Sequence, residues 1–309
     1  EEDMPLDGPT LTKTEDGGML IDFDPEGLST KMGGESFESN LAEYIEDGEL
    51  NSLALDLISK FNSDKSSRGD WEKTYEEGLD YLGLGIEDRT TPWAGACGVF
   101  HPMLSEAVVR FQSQTIQEIM PAKGPVKTQV WGLSTKERED QAKRVQDYMN
   151  FQLLEVMTEY RPETEKLLFS LPLAGSAFRK IYFDPSLNRP TSMFVPAEDF
   201  VVSYNESDLD QAERYTHVMN RSTNQIRKLQ VSGFYKDVEL SASYIEDNPI
   251  TDKYQEIGGV KPSYDKDERH QLLEMHVDLD LPGFEDGDGV ALPYVITIEK
   301  GSSTILSIY

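Results

Sequence analysis

His276, Asp278 and Asp280 fall at every second position of a stretch, residues 271–280, in which apolar and polar residues also alternate. On a β-strand that spacing puts one imidazole and two carboxylates on the same face, a donor set suited to a divalent cation. A metal-dependent enzyme using Asp278 and Asp280 is therefore the first chemistry to weigh. Alternating polar residues are equally what the wet face of a half-buried strand requires, and a solvated strand face is the reading adopted. Residues 278–289 read DLDLPGFEDGDG, with the acid and glycine content of a calcium loop. The fifth position, where an oxygen ligand belongs, is Pro282, and the twelfth, where a bidentate Glu belongs, is Gly289; an acidic hairpin loop is expected instead.

Cys97 and His101 stand four residues apart and could pair as thiol and base. They lie on a Gly-rich stretch beside Trp93 and Phe100 with no third group to orient the imidazole, so Cys97 is expected to be a buried structural cysteine. The four histidines, His101, His217, His270 and His276, show no HxxxH or HExxH spacing, and no P-loop, GxGxxG or GxSxG segment occurs. No catalytic, cofactor-binding or metal-binding residue is assigned on these grounds, and neither enzymatic activity nor a cofactor is expected. Residues 123–127, KGPVK, are the most basic loop, and an ordinary solvated turn accounts for them. Aromatic residues are only sparsely interleaved with Lys and Arg, so no stacking platform for nucleic acid is visible.

The 309 residues carry 29 basic and 57 acidic side chains, a formal net charge of −28. That balance opposes binding to a phosphate backbone, yet suits a surface past which DNA slides without sticking. A single cysteine excludes an internal disulfide and points to a reducing compartment. No apolar run approaches the ~20 residues that cross a bilayer and nothing at the start reads as a signal peptide, so a soluble protein made inside the cell is expected. The length exceeds one compact core, and two or three lobes are expected. With Glu1 at its start and a strand pattern running into Tyr309, the chain reads as part of a longer one.

Helices and strands together must position these residues. Residues 1–36, rich in Asp, Glu, Gly and Thr, are expected to form a flexible, extended acidic arm that orders only against a neighbour. Leu41, Tyr44, Ile45, Leu53, Leu57, Ile58 and Phe61 recur near the helical period, and Asp70 can cap a second helix through Tyr81. Two prolines and two glycines make residues 90–102 a loop. A helix follows to about Met120, with Leu104, Val108, Phe111, Thr115 and Ile119 on one face. Residues 124–131 alternate as a strand. Residues 136–159 read as one long charged helix with Val145, Tyr148, Met149, Gln152, Leu153 and Val156 turned inward. A helix at 163–173 precedes a hairpin of strands 178–183 and 193–195, then strands at 200–203 and 216–219, and Ser222 caps a helix to about Val231. Residues 239–269 read as a charged connector, after which strands at 271–280, 294–299 and 304–309 form a separate β lobe.

Several blocks, in order, resemble the portal proteins of podovirus-type phages, particularly those of marine and cyanobacterial viruses. They are residues 68–80 (RGDWEKTYEEGLD), 93–102 (WAGACGVFHP), 106–112 (EAVVRFQ), 124–128 (GPVKT), 171–185 (LPLAGSAFRKIYFDP) and 194–202 (FVPAEDFVV). The similarity runs from about residue 51 to 309. It implies an α+β, multi-lobed, portal-like subunit: after the arm 1–36, a helical and mixed α/β wing at 37–205, a helical, stem-like connector and linker at 206–269, and a β-rich, clip-like lobe at 270–309, cut short. It also implies a non-enzymatic structural protein of the head-tail connector, a dodecamer ring at the portal vertex of the virion, assembled in the host cytoplasm. Its implied partners are further copies of itself, the terminase large subunit, the capsid protein, tail adaptor proteins, and double-stranded DNA passing without sequence specificity during packaging and ejection; a membrane is not among them. The rival readings are the metal-dependent enzyme above and another structural virion protein, an adaptor or capsid component.

Overall fold

A computed structural model describes residues 10–13, 19–22, 39–82, 90–98, 101–184, 187–240, 245–246, 248–257, 269–281, 283–284 and 289–309. Within the acidic arm, β1 (Thr10–Lys13) and β2 (Met19–Asp22) pair as an antiparallel hairpin, with Thr10 opposite Asp22. This local pairing replaces the extended chain expected there; the rest of residues 1–36 lies outside the described residues.

Two helices come next. In α1 (Asp47–Ser67), Leu50, Ala54, Leu57, Phe61 and Asp64 recur at the three- and four-residue steps that line one helix face, and all five are buried. Arg68 ends it, and α2 (Gly69–Leu82) buries Tyr75, Leu79 and Leu82. After the loop 90–98, α3 (Met103–Ile119) follows the expected pattern, yet only Val108 of its proposed inner face is buried, and Phe111 and Ile119 stay exposed. Residues 124–131 form no strand and pair with none among the described residues. Their polar groups are met by α4 (Lys136–Phe151), through a side chain and a backbone carbonyl: Asn150 Oδ1 accepts from Val126 N–H at 2.9 Å, Asn150 Nδ2 donates to Val126 O at 3.2 Å, and Thr128 Oγ1 donates to Ala142 O at 2.9 Å.

The long helix expected over 136–159 stops early. α4 passes into a π-helical turn, Gln152–Val156, and α5 (Tyr160–Ala174) starts afresh. Pro162 suits this fresh start, because its missing N–H falls in the first turn of α5, where no helical acceptor precedes it. Gly175, at φ +79°, closes α5 in the left-handed conformation that suits glycine. The expected hairpin forms from β3 (Phe178–Asp184) and β4 (Arg189–Val195), its return strand starting four residues earlier than the 193–195 read from the sequence.

The remaining strands are β5 (Phe200–Val202), β6 (Arg214–Ser222), β7 (Arg269–Leu279), β8 (Leu292–Glu299) and β9 (Thr304–Ile308). They form one antiparallel sheet in that order. The strands expected as a separate lobe thus continue a sheet begun by β5 and β6. The reason lies in β7 itself: Leu272 and Leu273 are adjacent, point to opposite faces, and are both fully buried, so the sheet must be covered on both sides. On one face Leu273, Met275, Val277, Ile296 and Ile298 meet Leu50, Leu57 and Phe61 of α1. On the other, Leu272, Leu306 and Met219 lie under Ile226 and Tyr235. Each large apolar side chain so removed from water contributes roughly 1.5–3 kcal/mol.

Ile226 belongs to α6 (Thr223–Val231), which begins with a capping box: Ser222 Oγ accepts from Gln225 N–H, and Gln225 Oε1 accepts from Ser222 N–H. Part of the expected connector is helical, since Asn248 Oδ1 accepts from Ile250 N–H and Pro249 opens α7 (Pro249–Ile257). Ile250 joins Tyr75, Leu79, Ala174 and Ala197 in a third core. The mixed α+β class expected from the sequence is the class observed.

Candidate functional site

β7 presents Glu274, His276 and Asp278 on the sheet face opposite α1, and antiparallel register sets Tyr215 of β6 beside His276 and His217 beside Glu274. The His276 ring stacks on Tyr215 with centroids 4.6 Å apart, Tyr215 meets Phe200 at 5.6 Å, and Phe200 stacks on Phe178 at 4.0 Å. His276 Nε2 lies 3.4 Å from Glu274 Oε1, and Lys180, brought over by the β3–β4 hairpin, forms an ion pair with the same oxygen. Burial raises the Glu274 carboxyl, but the hydrogen bond from His276 and the charge of Lys180 outweigh it and hold the group at about 2. Burial pushes the His217 imidazole down to about 4, and its Nδ1 has no hydrogen-bond partner among the described residues.

The carboxylate that serves His276 is therefore Glu274, and Asp278 and Asp280 stand apart from it, both exposed. Among the described residues, no three His, Cys, Asp or Glu side chains gather into a metal-binding set. Beside Glu274 the cation is Lys180, a side chain from a hairpin some ninety residues earlier, which local alternation along β7 could not signal. Of the acidic loop 278–289, Pro282 and residues 285–288 lie outside the described residues.

Cys97 is exposed, which corrects the buried position expected for it. The neighbouring residues 90–95 are exposed too, and among the described residues no element covers the thiol. No hydrogen bond joins it to His101, itself exposed. Lys123 and Lys127 also stand in solvent. Between them Gly124 adopts φ +93° against Asn150, where a Cβ would come within 2.4 Å of that side chain.

Two arrangements have no short motif to announce them. Thr223 Oγ1, His270 Nε2, His270 Nδ1 and Glu299 Oε1 run in line with separations of 3.3 and 3.4 Å, a hydroxyl, imidazole and carboxylate in sequence. Glu299 is fully buried, and its other oxygen accepts from both Ser302 N–H and Ser302 Oγ at 2.5 Å, so this carboxylate fixes the β8–β9 turn. Both hydrogen bonds to the imidazole are long for directed proton transfer, and the line works as a brace between α6 and that turn.

The second is a cavity of about 390 Å³ bounded by α1, α7 and the sheet, with Glu198 and Asp199 in its wall. Burial raises the Glu198 carboxyl to about 7 and Asp199 to about 6, while the positive charge of Arg68 pulls both down. Arg68 cannot neutralise them further because its guanidinium is already engaged, donating to the carbonyls of Ala197, Glu198 and Phe200 and pairing with Glu72. Two acids titrating near neutrality could exchange protons with solvent in the cavity. No protein-family model and no curated protein matches the chain.

Proposed function

We propose that this chain is a structural subunit of a phage portal ring, and that it acts by geometry rather than by chemistry. The observation that carries this reading is that several of the sequence blocks resembling portal proteins take part in polar contacts that tie one element to another. Arg68, in the block 68–80, grips the carbonyls of Ala197, Glu198 and Phe200, in the block 194–202, at 3.0, 2.7 and 2.8 Å. Trp71 Nε1–H donates to Ala174 O, in the block 171–185, at 2.9 Å. The block 124–128 is fastened along α4 by Asn150 and Gln146. Groups spent on binding one element to another make a rigid wall, whereas a catalytic centre needs groups left poised for a substrate.

In this reading the acid excess of the chain keeps DNA mobile in the channel, since a phosphate polymer held tightly by many cations would not pass. ATP hydrolysis belongs to a separate packaging motor, the terminase large subunit, docked on one face of the ring, with tail adaptors on the other and capsid protein around it. Electron micrographs of the purified protein are expected to show closed rings with an axial hole. Particles without an axial opening, or nucleotide turnover abolished by a substitution in this chain, would overturn the reading.

A further inference from the structure

We infer that α4 and the segment leading into it form a docking face for a second copy of this chain, an inference that rests on the ring reading for its partner and names where that partner binds. Val145, Tyr148 and Met149 take the i, i+3, i+4 positions of an apolar helix stripe, the pattern that predicts burial, yet they are 46%, 63% and 45% exposed. The one buried residue of α4 is Asn150, on the side that holds residues 126–128. Those residues run antiparallel to the helix and continue into Trp131 and Leu133, the first of which is 84% exposed. At roughly 150–250 Å² for each aromatic side chain, Trp131, Tyr148 and Phe151 alone supply a large part of the ~800 Å² that one partner buries in an ordinary specific interface.

Charge selects the occupant. Residues 101–190 hold twelve basic and eleven acidic side chains, while the rest of the chain holds 17 and 46. Lys123, Lys127, Lys136, Lys143 and Arg144, all exposed on this segment and helix, make no ion pair among the described residues. In a protein with so many spare carboxylates, five unpaired cations around an uncovered apolar stripe call for an acidic protein surface. Another copy offers one: within its residues 39–82, spanning α1 and α2, eight acidic side chains and one basic side chain are exposed. Elsewhere two copies of net charge −28 repel; here the approach is neutral or attractive. Unlike surfaces in contact make a heterologous interface, the kind that repeats around a ring.

The test is assembly of the intact chain, followed by light scattering against concentration and salt. Wild-type protein is expected to assemble, and less so at high salt. Tyr148→Glu and the charge reversal Lys143→Glu/Arg144→Glu are each expected to weaken assembly about tenfold or more, with circular dichroism unchanged. Leu133→Ser, on an exposed loop, repeats the test should a helix variant misfold, and Val231→Glu, exposed on α6, is the control that leaves assembly intact. Wild-type-like assembly of all face variants would overturn this inference and leave the ring reading standing; a wild-type chain monomeric at every concentration would overturn both. If the charge reversal abolished binding to a labelled DNA duplex without altering assembly, the face would be a nucleic-acid surface and the inference would fall.

Discussion

Glu198 and Asp199 hold their protons more tightly in the folded chain than in the unfolded one, because burial lifts them to about 7 and about 6. Their stabilising contribution is therefore complete below the ordinary carboxylate range and is lost as pH rises through 6 to 7. Urea denaturation should accordingly show a more stable protein at about pH 5.5 than at about pH 8. Falling net charge acts in the same direction, so the diagnostic quantity is the difference between wild type and Glu198→Gln. That variant, neutral throughout, should gain on the order of 1 kcal/mol at the higher pH and show a flatter profile; an unchanged profile would mean that the carboxylate is solvated. Asp64 stabilises the fold through an ion pair instead. It is 6% exposed and receives two hydrogen bonds of 2.8 Å from Arg214, joining α1 to β6. Asp64→Ala should cost about 3 kcal/mol in the same assay, because it strands a largely buried guanidinium.

At the scale of elements, the legible ones carried their own signals. Ser222 marked the start of α6, and the helical spacing of Leu53, Leu57, Ile58 and Phe61 marked α1, although Leu41, Tyr44 and Ile45 of the same pattern precede that helix. Residues 124–131 misled because alternation states only which residues could face a core, while a strand also needs a partner for its backbone. α4 answered those backbone groups with Asn150 and Gln146 instead. The close fit of Gly124 to Asn150 gives a direct check. Gly124→Ala should cost about 2 kcal/mol or more, since the added Cβ meets Asn150 at 2.4 Å in a left-handed conformation. Gly132→Ala, with φ +85° and open space around it, should cost only about 1 kcal/mol. Equal losses in thermal or urea unfolding would show that the Asn150 clamp contributes nothing.

Across the whole molecule, one sheet, covered on both faces where Leu272 and Leu273 lie, joins the middle of the chain to its last strand. Asn40 binds that strand from the other end, donating to Leu306 O at 2.9 Å and accepting from Ile308 N–H at 3.0 Å. Against this closed core, α3 and α4 leave apolar surface uncovered. On the proposed ring reading another copy completes this stripe, so mass measurements at rising concentration should show assembly, with axial holes in micrographs.

Composition and periodicity by themselves determined the α+β class, the positions of most helices and the hairpin 178–195, because each depends on residues within a few positions of one another. They also determined the acid excess, and with it which kinds of partner are electrostatically favoured. Only the tertiary structure decided that Glu274 rather than Asp278 serves His276, that β7 to β9 extend an existing sheet, and that the apolar stripe of α4 faces solvent. The physical reason is common to all three. Each turns on which distant segment lies alongside, and a hydrophobic or charged pattern declares the need for a neighbour without naming it.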